Sequence, residues 1–278
     1  MSLTDQRISD VFYSLLLTYP EFGGNFDKLA EFACDMSRLE QFFSMVKPVT
    51  TNHDLIRIGG ETDGGYLIPD DLEGVETCFS PGVAVTASFE TEIAGRGIKC
   101  FLADYSVDGA PIENNLFHFE KRNLGNTNDS VNMTLEDWVE RNAPDQCDML
   151  LQMDIEGCEY PIICGANVET LRKFRIIVIE FHGLHRLCDK QGFETIFVTF
   201  RKLLDVFDIV HIHPNNCNKP LTYGIYEIPP VLEITFLRKD RVLSRQPATV
   251  FPHKLDRTNV PGDDFPLPTC WYISALSG

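Results

Sequence analysis

The chain has 278 residues, of which 24 are basic and 41 acidic, so its formal net charge is -17 at pH 7. Such a surface repels phosphate backbones and anionic lipid, which argues against nucleic acid or membrane as a partner and favours a neutral small-molecule or saccharide ligand. With 44% hydrophobic residues and no apolar run long enough to span a membrane, the sequence predicts a globular cytoplasmic protein.

The nine cysteines form no C-x-x-C pair, and several lie in or beside apolar runs. This usage is typical of buried thiols in a reducing compartment, and a disulfide scaffold is not expected at this length.

The first 50 residues are predicted to form a helical cap. A first helix carries apolar residues at helical spacing, namely Ile8, Val11, Phe12, Leu15 and Leu16. A second helix is predicted from Asn25 to just before Pro48, with one apolar face formed by Phe26, Leu29, Ala33, Met36, Phe43 and Val46. These helices are also a candidate surface for a homodimer.

Residues 51–240 alternate between strand-like and helix-like segments. Short apolar runs predict strands at Leu55–Ile58, Tyr66–Ile68, Glu76–Ser80, Lys99–Ala103, Leu116–Phe119, Met149–Met153, Ile176–Ile179, Ile209–Ile212 and Val231–Leu237. Helices are predicted at Ser88–Gly95, Thr134–Asn142, Tyr160–Gly165, Val168–Lys173 and Phe193–Val206.

This rhythm predicts an α/β fold with a Rossmann-like, doubly wound, mostly parallel sheet. The last two strands are expected to close the sheet with an antiparallel edge. The tail of residues 241–278 contains five prolines and little periodicity, so we expect it to pack irregularly on the domain.

Two neighbouring strands end in acidic residues. Met149–Met153 runs into Asp154, Glu156 and Gly157, and Ile176–Ile179 runs into Glu180 and His182. Because open α/β sheets bind ligands at the carboxyl ends of their strands, this pattern predicts a site.

A turn at Gly82 and an acid at Asp104 indicate the kind of ligand. Gly82 lies between a strand and a helix, where it would allow a close approach of the backbone, although a plain strand-to-helix turn would use it equally well. Asp104 ends the next strand, where an acid binds ribose hydroxyls or caps a helix. Together they indicate an adenosine-bearing cofactor without a pyrophosphate.

Four blocks carry a family resemblance: Arg57-x-Gly-x-x-x-Asp63-Gly-Gly-Tyr66, Phe79-Ser-x-Gly82 leading to Ser88-Phe-Glu90, Met153-Asp-Ile-Glu-Gly-x-Glu159-Tyr160, and Val178-Ile-Glu-Phe-His182. They resemble the FkbM-like methyltransferases over roughly residues 53–240. The resemblance implies a class I methyltransferase fold, S-adenosylmethionine as cofactor, and methyl transfer to an oxygen of a sugar or natural product. The implied cofactor residues are Asp63, Tyr66, Gly82, Val83, Ser88, Glu90, Asp104, Tyr105, Asp154 and Ile155.

The acceptor side of the site is expected to use Asp154, Glu156, Glu180, His182 and His213. In one chemistry, His182 or Asp154 removes the acceptor proton while Asn215 or Asn216 orients the acceptor. In the other, a divalent metal (Mg²⁺ or Mn²⁺) lowers the hydroxyl pKa; its ligands would be Asp154, Glu180, His182 and His213. Glu159 is interpreted as a first-turn helix acid.

A second class of function uses the same residues. A metal-dependent hydrolase or phosphoesterase would be built on Asp154, Glu180, His182 and His213, with His211 beside them. The chain has no compact H-E-x-x-H signature, so this is the weaker hypothesis.

Overall fold

The computed structural model describes residues 31–143 and 147–273. The predicted helix over Ile8–Leu16 lies outside the described residues, as does the start of the second. The second helix was predicted as continuous, and this is wrong near residues 33–35. Ala33 forms a β-bridge with Asp189, and the amide of Cys34 donates to the Cys188 carbonyl at 2.8 Å, so the backbone leaves the helix to pair with this segment.

Fifteen strands, β1 to β15 in chain order, occur in the described residues: Val49–Thr50, Leu55–Ile58, Tyr66–Pro69, Val75–Pro81, Lys99–Ala103, Phe117–Glu120, Asn123–Leu124, Asn132–Met133, Asp148–Met153, Phe174–Phe181, Phe207–Pro214, Leu221–Tyr223, Tyr226–Ile228, Leu232–Arg238 and Gln246–Pro247. The helices α1 to α6 are Met36–Met45, Ser88–Gly95, Leu135–Asn142, Glu159–Gly165, Val168–Lys173 and Lys190–Val206. Every element predicted between residues 51 and 240 is present, shifted at its ends by a few residues.

Seven strands form the central sheet in the order β11-β14-β10-β9-β4-β5-β6. The neighbours from β10 to β6 are parallel, whereas β14 is antiparallel to both β10 and β11. The predicted Rossmann-like, mostly parallel sheet is therefore confirmed. As expected, the last two strands close one end of the sheet with antiparallel pairing, in which the edge strand β11 lies beyond β14. The first six residues of β14 are buried, and an apolar strand with both faces covered is more stable between two strands than beside solvent.

Apolar side chains cover both faces of the sheet, as a doubly wound fold requires. One face packs against α1 and α3 to α6, through residues such as Phe42, Trp138 and Phe200. The other face packs against α2 and the β2–β3 hairpin, through Phe89 and Tyr66 among others. The hairpin is important for the site because it places residues 59–65 above the carboxyl ends of the strands.

The C-terminal tail packs back onto the domain. Lys47 Nζ donates to the carbonyls of Cys270 and Ile273 at 2.7 and 2.8 Å, and β15 pairs with β1. Trp271 is fully buried, with its ring 5.9 Å from that of Phe42.

All nine cysteines lie in the described part of the chain and are free thiols; five of them are buried, as expected, whereas Cys158 and Cys217 are exposed. Across residues 31–143 and 147–273, no helix is both long enough and apolar enough to cross a membrane.

Candidate functional site

A cavity of about 590 Å³ opens at the carboxyl ends of β4, β5 and β9. The strand order reverses beside β4, since β5 and β6 follow on one side and β9 and β10 on the other. Such switch points are where open α/β sheets bind ligands. Of the ten residues predicted to hold the cofactor, nine line this cavity: Asp63, Tyr66, Gly82, Val83, Ser88, Glu90, Asp104, Asp154 and Ile155.

Gly82 is the point of closest approach between two strand ends. Its φ is +87°, and a Cβ at this position would lie 1.6 Å from the carbonyl oxygen of Asp154. The amide of Gly82 donates to the Ala103 carbonyl at 2.9 Å, while the Asp154 amide donates to the Pro81 carbonyl at 3.3 Å. Glycine is thus required here to hold the three strand ends together, in addition to opening the turn.

Asp104 is a buried carboxylate that organises the loops around the cavity. One oxygen accepts the Ala84 amide at 2.8 Å, and the other accepts the amide and hydroxyl of Ser106, both at 2.7 Å. A carboxylate offers about four acceptor positions, so one remains for a ligand hydroxyl. This arrangement suits contact with a ribose, with the loop bonds fixing the carboxylate in place.

Glu90 and Tyr66 belong to a buried polar chain at the base of the cavity. Ser80 Oγ hydrogen-bonds Glu90 and lies 2.6 Å from Gln152 Oε1, and Gln152 Nε2 donates to the Tyr66 hydroxyl at 3.3 Å. Burial raises the pKa of Glu90 above its usual range. A protonated Glu90 would donate to Ser80, which could then donate to Gln152, so that each bond has one proton.

Ser88 and Tyr105 lie further from the centre of the cavity. Ser88 is exposed at the rim, where its hydroxyl donates to the Gly64 carbonyl at 3.3 Å. Tyr105 does not line the cavity; it is 43% exposed, and the ammonium of Lys121 lies 5.8 Å from its ring centroid. Tyr105 follows the buried Asp104 directly, and its side chain lies on the surface instead of in the cavity.

The acidic residues of neighbouring strands form one row across the sheet. Glu180 of β10 is directly opposite Glu233 of β14, and Glu233 is opposite His213 of β11. Asp154 follows β9 at the same level, because Met153 pairs with Ile179. Asp154, Glu180 and His182 do lie close together, as predicted: one potential metal-ligand atom from each lies within 4.8 Å of the others.

His182 is held by a buried carboxylate. Its Nδ1 lies 3.1 Å from Glu159 Oε1, and Glu159 is fully buried. The same Glu159 oxygen accepts the Gly157 amide at 3.0 Å. Glu159 does occupy the first turn of α4, as predicted, but its side chain faces His182. Its interpretation as a helix acid alone is therefore incomplete.

The other nitrogen of His182, Nε2, faces the acids of the site. It lies 3.4 Å from Glu156, 3.5 Å from Glu180 and 4.0 Å from Asp154. Burial alone would lower the pKa of His182, but the hydrogen bond with Glu159 and the nearby carboxylates raise it above its ordinary value. An imidazole fixed at Nδ1 in this way presents Nε2 for proton transfer.

A second cavity, of about 310 Å³, shares Glu156 with the first and is also lined by His182. Tyr160, Arg186 and Thr195 also line it. Glu156 lines both cavities, and its φ of +54° is in the left-handed region, which costs a non-glycine residue about 1–2 kcal/mol. Strained backbone of this kind concentrates at ligand sites.

Burial and mutual repulsion act together on the acidic row. Burial first, then the charges of Asp154, Glu233 and Asp63, raise the pKa of Glu180. The pKa values of Asp154 and Glu233 are also raised, chiefly by burial, although His182 and His213 oppose the shifts. An apolar setting and like charges make this row a strong attractor for a cation or a proton.

His213 does not join the predicted four-residue metal set. Its Nδ1 lies 3.6 Å from Asp256, a residue of the C-terminal tail that also hydrogen-bonds His211 at 2.8 Å. His213 is two strands away from Glu180, beyond Glu233. Because His211 and His213 are two residues apart on one strand, their side chains lie on the same face, and both face Asp256 of the tail.

Sequence reasoning missed three residues of this site: Glu159, Glu233 and Asn259. The Asn259 amide donates to Glu233 and, at 3.4 Å, to Asp63. A signal existed for Glu233, since a carboxylate within the run Val231–Leu237 is costly to bury without a partner. The position of Asn259 carried no such signal, because an asparagine in a loop is ordinary.

Residues 89–208 match the family model described as "Methyltransferase FkbM domain". This match confirms the resemblance that the motifs indicated, and S-adenosylmethionine is the cofactor expected of this family. No curated protein matches the chain.

Two solved structures resemble the fold. One is a chain in a crystal structure of the fibrillarin/Nop5p complex, at 14% identity and TM-score 0.35, covering 59% of this chain and 73% of that one. The other is the 23S rRNA methyltransferase ErmE, at 10% identity and TM-score 0.34, covering 77% of this chain and 72% of that one.

Proposed function

We propose that this chain, which carries a methyltransferase FkbM domain at residues 89–208, is an S-adenosylmethionine-dependent O-methyltransferase acting on a hydroxyl of a sugar or similar small acceptor. The observation that carries the proposal is the pair of adjacent cavities that share Glu156, with the oriented His182 lining the smaller one. One cavity suits a nucleoside-bearing cofactor, and the other suits the acceptor.

The larger cavity fits the cofactor in size and in chemistry. Its volume of about 590 Å³ is in the range of cofactor sites. Asp104 retains an acceptor position for a ribose hydroxyl, and the absence of a Cβ at Gly82 keeps the strand ends in contact below it. When bound, S-adenosylmethionine supplies an electrophilic methyl group. The chain supplies the binding surface, which includes Asp154 and Ile155 beside the shared Glu156.

His182 is the candidate general base on the acceptor side. Glu159 accepts a hydrogen bond from Nδ1, which leaves the lone pair on Nε2 for the proton of an acceptor hydroxyl. Asp154 and Glu180 surround Nε2 at 4.0 and 3.5 Å and would stabilise the imidazolium that forms. Tyr160 donates to the His182 carbonyl at 2.8 Å and fixes the backbone of this segment.

The hydrolase hypothesis receives no support. It required His213 to join Asp154, Glu180 and His182, and His213 instead faces Asp256. Without it the remaining cluster lacks the second imidazole on which that chemistry was based.

Calorimetric titration with S-adenosylmethionine tests the proposal. We expect stoichiometric binding to the full chain and a loss of about tenfold or more in affinity for Asp104→Asn, which turns an acceptor oxygen into a donor. Asp108→Asn is the matched control, because Asp108 is exposed four residues further on and pairs with Lys121. Failure of the wild-type chain to bind the cofactor would overturn the proposal; equal binding by both variants would remove Asp104 from it.

A further inference from the structure

Three carboxylates, of which only Glu180 belongs to the predicted metal set, converge beneath the β2–β3 hairpin. Oxygens of Asp63, Glu180 and Glu233 all lie within 4.8 Å of one another. Glu180 and Glu233 are buried and stand directly opposite each other on adjacent strands, where like charges destabilise a sheet. Asp63 lies in the loop of the β2–β3 hairpin, and its carboxylate is the third member of the group.

One oxygen of the group is buried without a partner. Glu180 is 4% exposed, and its Oε2 has no hydrogen-bond partner among the described residues. A buried carboxylate oxygen without a donor is costly, and a cation at this position would remove that cost. This orphaned oxygen points to a ligand independently of the acidic cluster.

Amide side chains fix the orientation of the three carboxylates. Asn215 Nδ2 donates to Glu180 Oε1 at 3.1 Å. Asn259 Nδ2 donates both to Glu233 and to Asp63. Hydrogen bonds of this kind, made from outside to ligating carboxylates, are typical of metal sites, where they hold the remaining oxygens toward the ion.

Neighbouring basic side chains do not fill the group. The Arg57 guanidinium donates to the carbonyls of Gly60 and Thr62 at 2.8 and 2.9 Å. His213 lies on the far side of Glu233 and faces Asp256 as well. Arg57 and His213 therefore neutralise the negative charge of the three carboxylates only in part.

We propose that Asp63, Glu180 and Glu233 bind one divalent hard cation, of the Mg²⁺ or Mn²⁺ class, beside His182. Oxygen ligands around such an ion, held at about 2.1 Å, lie roughly 3–4 Å apart, so modest closure of the observed group is sufficient. An all-oxygen set favours these ions over Zn²⁺, which prefers nitrogen and sulfur. This set keeps only Glu180 of the predicted ligands; Asp63 and Glu233 take the place of Asp154, His182 and His213.

The role of the ion, though not the site itself, rests on the proposed function. An acceptor hydroxyl that takes a free position on the ion would lose its proton more readily, and Nε2 of His182 lies 3.5 Å from Glu180 to receive it. The ion would thus lower the hydroxyl pKa while His182 accepts the proton.

Metal binding can be measured without cofactor or acceptor. The full chain, stripped with chelator, is titrated with Mn²⁺ while the EPR signal of the free ion is recorded. We expect one site per chain, competed by Mg²⁺, and affinity at least about tenfold weaker in Glu180→Gln and Glu233→Gln. Glu90→Gln is the matched control, because it removes a buried carboxylate of α2 that lies outside the group, and it should bind Mn²⁺ as the wild type does.

Thermal unfolding separates loss of the site from loss of the fold. Without metal, Glu180→Gln should melt at or above the wild-type temperature because it relieves the repulsion; with Mn²⁺, only the wild type and Glu90→Gln should gain stability. A wild-type chain that binds no Mn²⁺, or a Glu180→Gln variant that binds it equally well, overturns the inference. Because S-adenosylmethionine is absent throughout, this result is independent of the cofactor titration.

Discussion

Residue 82 shows how the absence of a side chain allows the strand ends around the larger cavity to stay in contact. A Cβ on Gly82 would collide with backbone, and backbone has no rotamer with which to avoid it. Gly97 has a similar φ of +82°, and a Cβ there would meet nothing within 4 Å. An alanine at residue 97 would therefore show only the cost of the left-handed backbone, without the collision that it would cause at residue 82.

We expect Gly97→Ala to lower the free energy of unfolding by about 1 kcal/mol. Gly82→Ala should cost at least about 3 kcal/mol and abolish cofactor binding, because it must separate β4 from the Asp154 loop. Urea unfolding and calorimetry measure the two effects. Equal losses in the two variants would show that close approach at residue 82 is unimportant.

Glu159 is the residue whose role depends most on a contact that no linear pattern reveals. If it orients His182, Glu159→Gln should lower kcat by about tenfold or more while leaving cofactor affinity and acceptor KM nearly unchanged. Glu169→Gln is the control, since Glu169 is an exposed acid of α5 with its side chain 81% exposed. A parallel loss of kcat and cofactor affinity would instead indicate a structural role.

The predictability of these residues follows from where their partners lie in the chain. Gly82, Asp104 and Asp154 could be predicted because each directly ends an apolar run, and strand ends of a parallel sheet meet at one edge. Glu159 and Asn259 could not, because each acts through a residue far along the chain or in another element. Packing alone brings them to the site.

At the scale of elements, the C-terminal tail is tied to β11 through one carboxylate. Asp256 hydrogen-bonds His211 and lies near His213, and the His253 amide donates to it at 2.7 Å. Burial alone would raise the pKa of Asp256, but its histidine contacts hold it well below the usual range. The anchored tail continues to Asn259, so this contact also positions the wall of the acidic group.

Asp256→Asn should therefore lower the free energy of unfolding by about 3 kcal/mol near neutral pH. A depressed carboxyl pKa stabilises the fold above about pH 4, its unfolded value, and this stability is lost as the pH falls further. His213 titrates in the opposite sense: contacts with Asp256, Glu233 and Asp264 outweigh burial and raise its pKa to about 9.

The stabilisation from His213 is complete below its unfolded pKa of about 6.5 and is lost as the pH rises through the folded value. The difference between wild type and Asp256→Asn should thus be largest between about pH 4 and 6.5. Chemical unfolding at a series of pH values checks this; a difference independent of pH would mean that the tail contact is not electrostatic.

The order of the last strands was harder to predict than their existence. The apolar run Val231–Leu237 indicates a buried strand, but its neighbours depend on how the chain returns after β11. The hairpin β12–β13 makes that return and leads β14 back between β10 and β11. Periodicity contains no information about such a return, so the sequence predicted an antiparallel edge but not which of the two strands lies outermost.

For the whole molecule, the formal charge of -17 leads to a prediction about partners. We expect no association with a labelled RNA at about 10 μM protein and 0.15 M salt, and none on dilution of the salt, because lower salt strengthens the repulsion. A gel-shift titration checks this. Binding that weakens as salt is added would reveal a local basic surface and contradict the expectation.

Because β14 is paired on both sides, one wall of the site is stiffer than the other. Glu233 lies inside a strand that is hydrogen-bonded to β10 on one side and β11 on the other. Asp154, Glu156 and His182 lie just beyond the ends of their strands, in loops. A ligand that closes the site would therefore order the loop wall and leave the β14 wall as it is. The conformational entropy lost on binding would fall mainly on the short segments after β9 and β10.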